Sequence, residues 1–164
     1  MADGKKFTDL VAYFQALANG HKHIKDFYRF EFDEVLTSLR DIETPCLILE
    51  GYKFSFTDNK SDNILKTRSG AFILLDHVRD IGDYDLIHST WDSLEKIGDD
   101  ILARIKADKN NPESPVRNFP LENVEGHLLS TEMGNYYGIR FTFDIVFRFN
   151  ADVDPERWNP LIPS

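Results

Sequence analysis

The side chains through which this sequence would do chemistry are five histidines, one cysteine and a scatter of carboxylates. His21-x-His23 would put two imidazoles on one face of a strand, which is the start of a metal site. No cysteine or further histidine lies nearby to complete a tetrahedral set. Asp76-His77 has the composition of an acid–base dyad, but adjacent strand residues point to opposite faces, so a surface histidine near a strand end is expected. Glu50 and Lys53 are the residue types of a divalent-metal nuclease. Such sites place the two side by side on a strand face, whereas the spacing here sends them to opposite faces unless Gly51 bulges. Cys46, in an apolar run, is expected as a small core residue rather than a nucleophile. Asp83, Asp85 and the pair Asp99-Asp100 belong on the solvated side of a helix. There is no Gly-x-Ser-x-Gly, phosphate loop or dinucleotide glycine pattern, and Ser69-Gly70 stands without such context. The residues therefore suggest a chain without catalytic, cofactor-binding or metal-ligating residues, and not an enzyme. A metal-dependent nuclease using Glu50 and Asp76 is the weakest alternative.

Leu10, Val11, Phe14, Leu17 and Ala18 recur at helical steps after Thr8, a candidate N-cap, and Asn19-Gly20 is a stop signal; the spacing predicts a helix over 8–19. Tyr28, Phe30 and Phe32 alternate as in a short half-buried strand, and 33–40 carries Val35, Leu36 and Leu39 at the spacing of two helical turns. After Pro45 a strand is predicted from Cys46 to Phe56, with Gly51 breaking its alternation. A polar turn at 57–63 leads to a second strand over 64–78. Its stretch Ala71 to Leu75 is apolar on both faces and should lie centrally. Asp83 to Asp108 is the longest helix, with Ile87, Trp91, Leu94, Ile101 and Ile105 in one stripe, and Gly98 suggests tight packing on the sheet.

A proline-bearing loop at 110–120 precedes a strand over 124–131, a turn at Met133-Gly134-Asn135, and the clearest strand in the chain, Tyr136 to Phe149. There Ile139, Phe141, Phe143, Ile145, Phe147 and Phe149 share one face, against Arg140, Thr142, Asp144 and Arg148 on the other. This order predicts an α+β fold: a mostly antiparallel sheet of two hairpins packed against a long amphipathic helix and a short N-terminal helix. Residues 1–150 form a single domain, and 151–164 a proline-containing tail.

The chain has 164 residues, 41 % apolar and 13 % aromatic, enough for one core of ordinary size. Its formal net charge of −9 repels phosphate backbones, so DNA is not wrapped on a basic face, although an acidic wall that DNA slides past is compatible. One cysteine excludes an intrachain disulfide. No apolar run is long enough to span a bilayer and the first residues lack the apolar core of a signal peptide, so a cytoplasmic origin and no membrane partner are expected.

Two features call for a use other than chemistry. The hairpin 46–78 has strands longer than usual and a polar tip, an arm able to reach a neighbouring subunit. The tail places Trp158 in an extension rich in proline, either folded back on its own domain or anchored in a partner. The interface candidates are Trp158, then Tyr52, Phe54 and Phe56 on one face of the arm, and Arg140 and Arg148 on the outward face of the last strand.

The N-terminal helix, the strand pair 46–78, the helix 83–108 with Trp91, and the closing Gly138-Ile139-Arg140-Phe141-Thr142-Phe143 together resemble the small tail-terminator and head–tail completion proteins of tailed bacteriophages, over residues 8–150. The resemblance lies in length, element order and style. It implies an α+β subunit without an active site that assembles into a homo-oligomeric ring, a hexamer or a dodecamer, between capsid or connector and tail. The expected partners are other neck and tail proteins of the virion, with DNA passing through an acidic lumen without sequence-specific contact. The implied location is the virion, after synthesis in the host cytoplasm. No shared motif carries a functional residue over, and the family does not require the aromatic tail. The alternative of another class is a small cytoplasmic adaptor that binds a partner through the tail.

Overall fold

The computed structural model describes residues 6–29, 42–131 and 134–160. The predicted strand positions Phe30 and Phe32 and the helical turns at 33–40 lie outside these residues, as does Met133.

Helix α1 spans Phe7–Gly20 and buries Leu10, Val11, Phe14 and Ala18. Its N-cap is Lys6 rather than the expected Thr8. The Asp9 carboxylate reaches back and accepts the Lys6 backbone N–H at 2.8 Å, which satisfies a donor that the helix itself cannot. Helix α2 spans Tyr84–Asp108, and Asp83 caps it by accepting the Leu86 N–H at 3.0 Å. The strands are β1 (Asp26–Tyr28), β2 (Cys46–Leu49), β3 (Lys53–Thr57), β4 (Leu65–His77), β5 (Glu125–Ser130) and β6 (Tyr136–Arg148).

They form one six-stranded mixed sheet in the order β1-β2-β4-β6-β5, with β3 also paired to β4. The fold is α+β, as the sequence suggests, with two additions. The two hairpins are joined, because β4 and β6 run antiparallel through a continuous register from Leu65↔Arg148 to His77↔Tyr136. In addition, β1 lies parallel to β2 at the edge, with Asp26 opposite Cys46.

The predicted strand from Cys46 to Phe56 is two strands. Leu49 faces Phe72 and Lys53 faces Ser69, so the three residues 50–52 stand opposite the two residues Gly70 and Ala71. This is the bulge that Gly51 foreshadows, and it flips the facing of everything after it.

Both described helices pack on one face of the sheet. Phe14 and Phe119 lie against Phe143, and Phe72 stacks on Phe141 at 4.8 Å. Gly98 lets α2 approach so closely that an added Cβ would run into the Phe141 ring. Trp91 fastens the same helix to the sheet, its indole N–H donating to the Gly138 carbonyl at 3.1 Å and the Leu129 carbonyl at 3.3 Å. The opposite face carries a smaller cluster of Cys46, Ile48, Ile73 and Leu75, so Ala71–Leu75 is covered on both sides.

Candidate functional site: an aromatic arm and an exposed tail

The sheet is longer than the helices that cover it. Beyond Tyr52 the ends of β3, β4 and β6 continue as an arm. Cross-strand register places Phe54 beside Arg68, Phe56 beside Lys66, and Lys66 beside Phe147, all on the helix-bearing face. No helix reaches them among the described residues. Phe54 is 56 %, Phe56 49 % and Phe149 37 % exposed. Phe56 meets Phe149 edge-on at 5.0 Å. The Lys66 ammonium lies 4.4 Å from the Phe54 ring centre, and the Arg68 guanidinium lies 4.6 Å from that of Phe147 and 5.0 Å from that of Tyr52. Cations over ring faces are held by the ring quadrupole. The arm therefore presents a basic, aromatic surface on a chain whose net charge is −9.

The other interface candidates differ in setting. Tyr52 is half-buried, edge-on to Phe7 at 5.3 Å, and marks the junction between body and arm. Arg148 donates to the Asp62 carbonyl at 3.3 Å and steadies the arm's tip. Arg140 is on the opposite face, donating through Nη2 at 2.8 Å and Nε at 3.1 Å to Glu50 Oε2. Trp158 is 61 % exposed in a tail whose described residues 150–160 are exposed throughout. The tail is irregular apart from one short turn, Pro155–Arg157, capped where Asp154 accepts the Glu156 N–H at 3.0 Å.

The groups that suggested chemistry are dispersed or occupied. The bulge does bring Glu50 and Lys53 to one face, where with Ser69, Asn123, Arg140 and Asp144 they line a cleft of about 580 Å³. Within it, the Glu50 carboxylate is engaged by Arg140. Asp144 accepts the Ser69 hydroxyl at 2.6 Å and the Asn123 amide at 3.3 Å. Asp76 shares the strand face of Phe72 and Leu74 and lies five residues along β4 from Ala71, whose carbonyl pairs with Glu50. Glu50 and Asp76 therefore do not converge.

His21 sits in a groove of about 410 Å³ between α1 and α2. The His23 backbone N–H donates to its Nδ1 at 3.2 Å, which puts the ring proton on Nε2, facing Asp100 Oδ2 at 3.0 Å. Both ring nitrogens are engaged, and Asp100, which stays partly exposed to solvent, is one tie between the helices. Hydrogen bonds from His21 and Lys96 hold its carboxyl below the usual range. Across the groove Tyr13 donates to Asp108 at 2.8 Å. Burial, followed by this bond to Asp108, raises its phenol. His77 lies edge-on to Tyr136 at 5.4 Å, and its backbone N–H donates to the Asp76 side chain at 2.8 Å. Burial pushes the Cys46 thiol up to about 12, so it is not a thiolate near neutrality.

Among the described residues, no three histidine, cysteine, aspartate or glutamate side chains are grouped to hold a metal ion, and no helix is long and apolar enough to cross a membrane. No protein-family model matches the chain, and no curated protein matches it.

Proposed function

We propose that this chain is an assembly subunit that acts through contact surfaces rather than catalysis, closing into a ring in the neck or tail of a phage-like particle. The observation that carries this reading is the aromatic arm. Phe54, Phe56 and Phe149 form an exposed cluster that a working monomer would be expected to shield. A surface of this kind at one end of a subunit suits a head-to-tail contact, which generates a ring when its rotation closes. The net charge of −9 supports an inner wall past which DNA moves without sticking. The resemblance in element order to tail-terminator and head–tail completion proteins points the same way. Native mass spectrometry of the full chain tests the proposal: a closed ring, hexameric or dodecameric, is expected. Monomer alone, at high concentration and in any particle that contains the chain, would overturn it.

A second reading, the adaptor, is favoured by one observation, the exposure of Trp158 on a tail whose described residues 150–160 are all exposed. It expects a partner of different sequence, captured by the wild-type chain and lost on deletion of residues 151–164.

A further inference from the structure

We infer that the tail of one copy docks on the aromatic arm of a second copy, with Trp158 against Phe54 and Phe56 and the tail's carboxylates toward Lys66 and Arg68. The inference deepens the assembly reading by naming the two surfaces that would join neighbouring subunits.

Complementarity of charge and shape is the first ground. The tail carries Asp152, Asp154 and Glu156 within a few residues of Trp158 and Val153, which are 61 % and 75 % exposed. It is an acidic segment with apolar anchors. The arm is a basic segment with apolar rings, and it is local to one end of an otherwise acidic chain. Oppositely charged patches select partner and register, and tryptophan is favoured as the buried anchor of an interface.

The second ground is the state of the tail. Its described residues are exposed along their whole length, yet they are locally shaped. Asp154 caps the turn at Pro155, Arg157 Nε lies 3.4 Å from Asp154 Oδ2, and the Trp158 N–H donates to the Pro155 carbonyl at 3.4 Å. A segment already turned loses less freedom on binding than a disordered one.

Topology supplies the third ground. Phe149 stays on its own arm, its N–H donating to the Ile64 carbonyl at 2.9 Å, and the tail departs from the rim of the patch. Each copy thus offers a tail and an arm side by side, the arrangement that lets every subunit give and receive one contact. On β3, Lys53–Thr57 pairs with β4 along one edge only among the described residues. The other edge can accept main-chain hydrogen bonds from an extended segment.

A complementation experiment with two full-length variants tests this. Trp158→Ser keeps the arm and loses the anchor. The double variant Phe54→Ser/Phe56→Ser keeps the tail and loses the exposed rings, which are surface residues whose removal leaves the core intact. Sedimentation velocity should show each variant dissociated on its own and a 1:1 complex on mixing. That complex should weaken about tenfold or more when Lys66→Glu is added to the arm-bearing partner. A mixture that stays dissociated, or two variants that each assemble like the parent chain, would overturn the docking. Rings that persist in both variants sink the docking and leave the ring reading intact. A 1:1 complex from a parent that never closes a ring upholds the docking and sinks the ring.

Discussion

The ring of Phe141 occupies the space in which a side chain at position 98 would stand. The end of the ring is what such a side chain would meet, and the ring is itself packed in the core, stacked on Phe72 at an interplanar angle of 12°, which resists its retreat. Alanine would gain about 1 kcal/mol of helix propensity at this position. Overpacking of a tight core costs about 1–3 kcal/mol. Gly98→Ala is therefore expected to be less stable than the parent, and Gly98→Leu much less so. Urea denaturation checks this: the midpoint should fall at an unchanged slope, and a higher midpoint for the alanine variant would refute the contact.

Glu50 is 8 % exposed and its charge is balanced by Arg140, 90 residues away in sequence. Arg140→Met leaves a desolvated carboxylate without its partner, at an expected cost of about 1–3 kcal/mol. Adding Glu50→Met should recover part of that loss, since a buried pair replaced by apolar groups is often neutral. A double-mutant cycle with no coupling would show that the pair does nothing for the fold.

The pH dependence of stability should carry the mark of Asp100. Its folded pKa lies below the ordinary carboxylate value of 3.8 because His21 and Lys96 hydrogen-bond the ionised form. The stabilisation is thus fully present above that ordinary value and lost as pH falls through the depressed one. Midpoints measured from about pH 6 to about pH 2 should drop less steeply for Asp100→Asn than for the parent. Identical acid limbs would mean that the contact between α1 and α2 does not depend on this charge.

Cys46 should be silent toward thiol reagents in the folded chain. It is fully buried, and burial, with Asp26 and Asp76 as lesser causes, pushes its thiol up to about 12. Labelling should therefore wait on opening of the sheet and accelerate with added urea. Rapid stoichiometric labelling under native conditions would contradict the placement of β2.

Much of this fold is legible in the sequence because its strongest signals are periodic. Ile139, Phe141, Phe143 and Ile145 alternate into the core as their spacing requires, and α2 starts where Asp83 can cap it. Periodicity identifies a face but not what covers it. Phe147 and Phe149 continue the same alternation past the end of the helices, and Phe149 ends up in the open. The site is less legible, because its relationships are non-local. Nothing near Glu50 announces Arg140, and nothing near His21 announces Asp100, 79 residues on. The parallel pairing of β1 with β2 likewise leaves no local trace. Gly51 is a local hint of the bulge, but which face each residue then takes depends on its partners in β4.

The bulge at residues 50–52 works as a switch of handedness for a single strand. Ahead of it, odd-numbered side chains such as Leu47 and Leu49 feed the helix-covered core; behind it, even-numbered Phe54 and Phe56 take that side. A strand of the same length that ran straight through these residues would keep the plain alternation and turn the arm inside out. The rings would move to the opposite side of the sheet, and Lys53 and Ser55 to the side where the rings had been. The position of the whole aromatic surface is thus held by the bulge that takes up one extra residue.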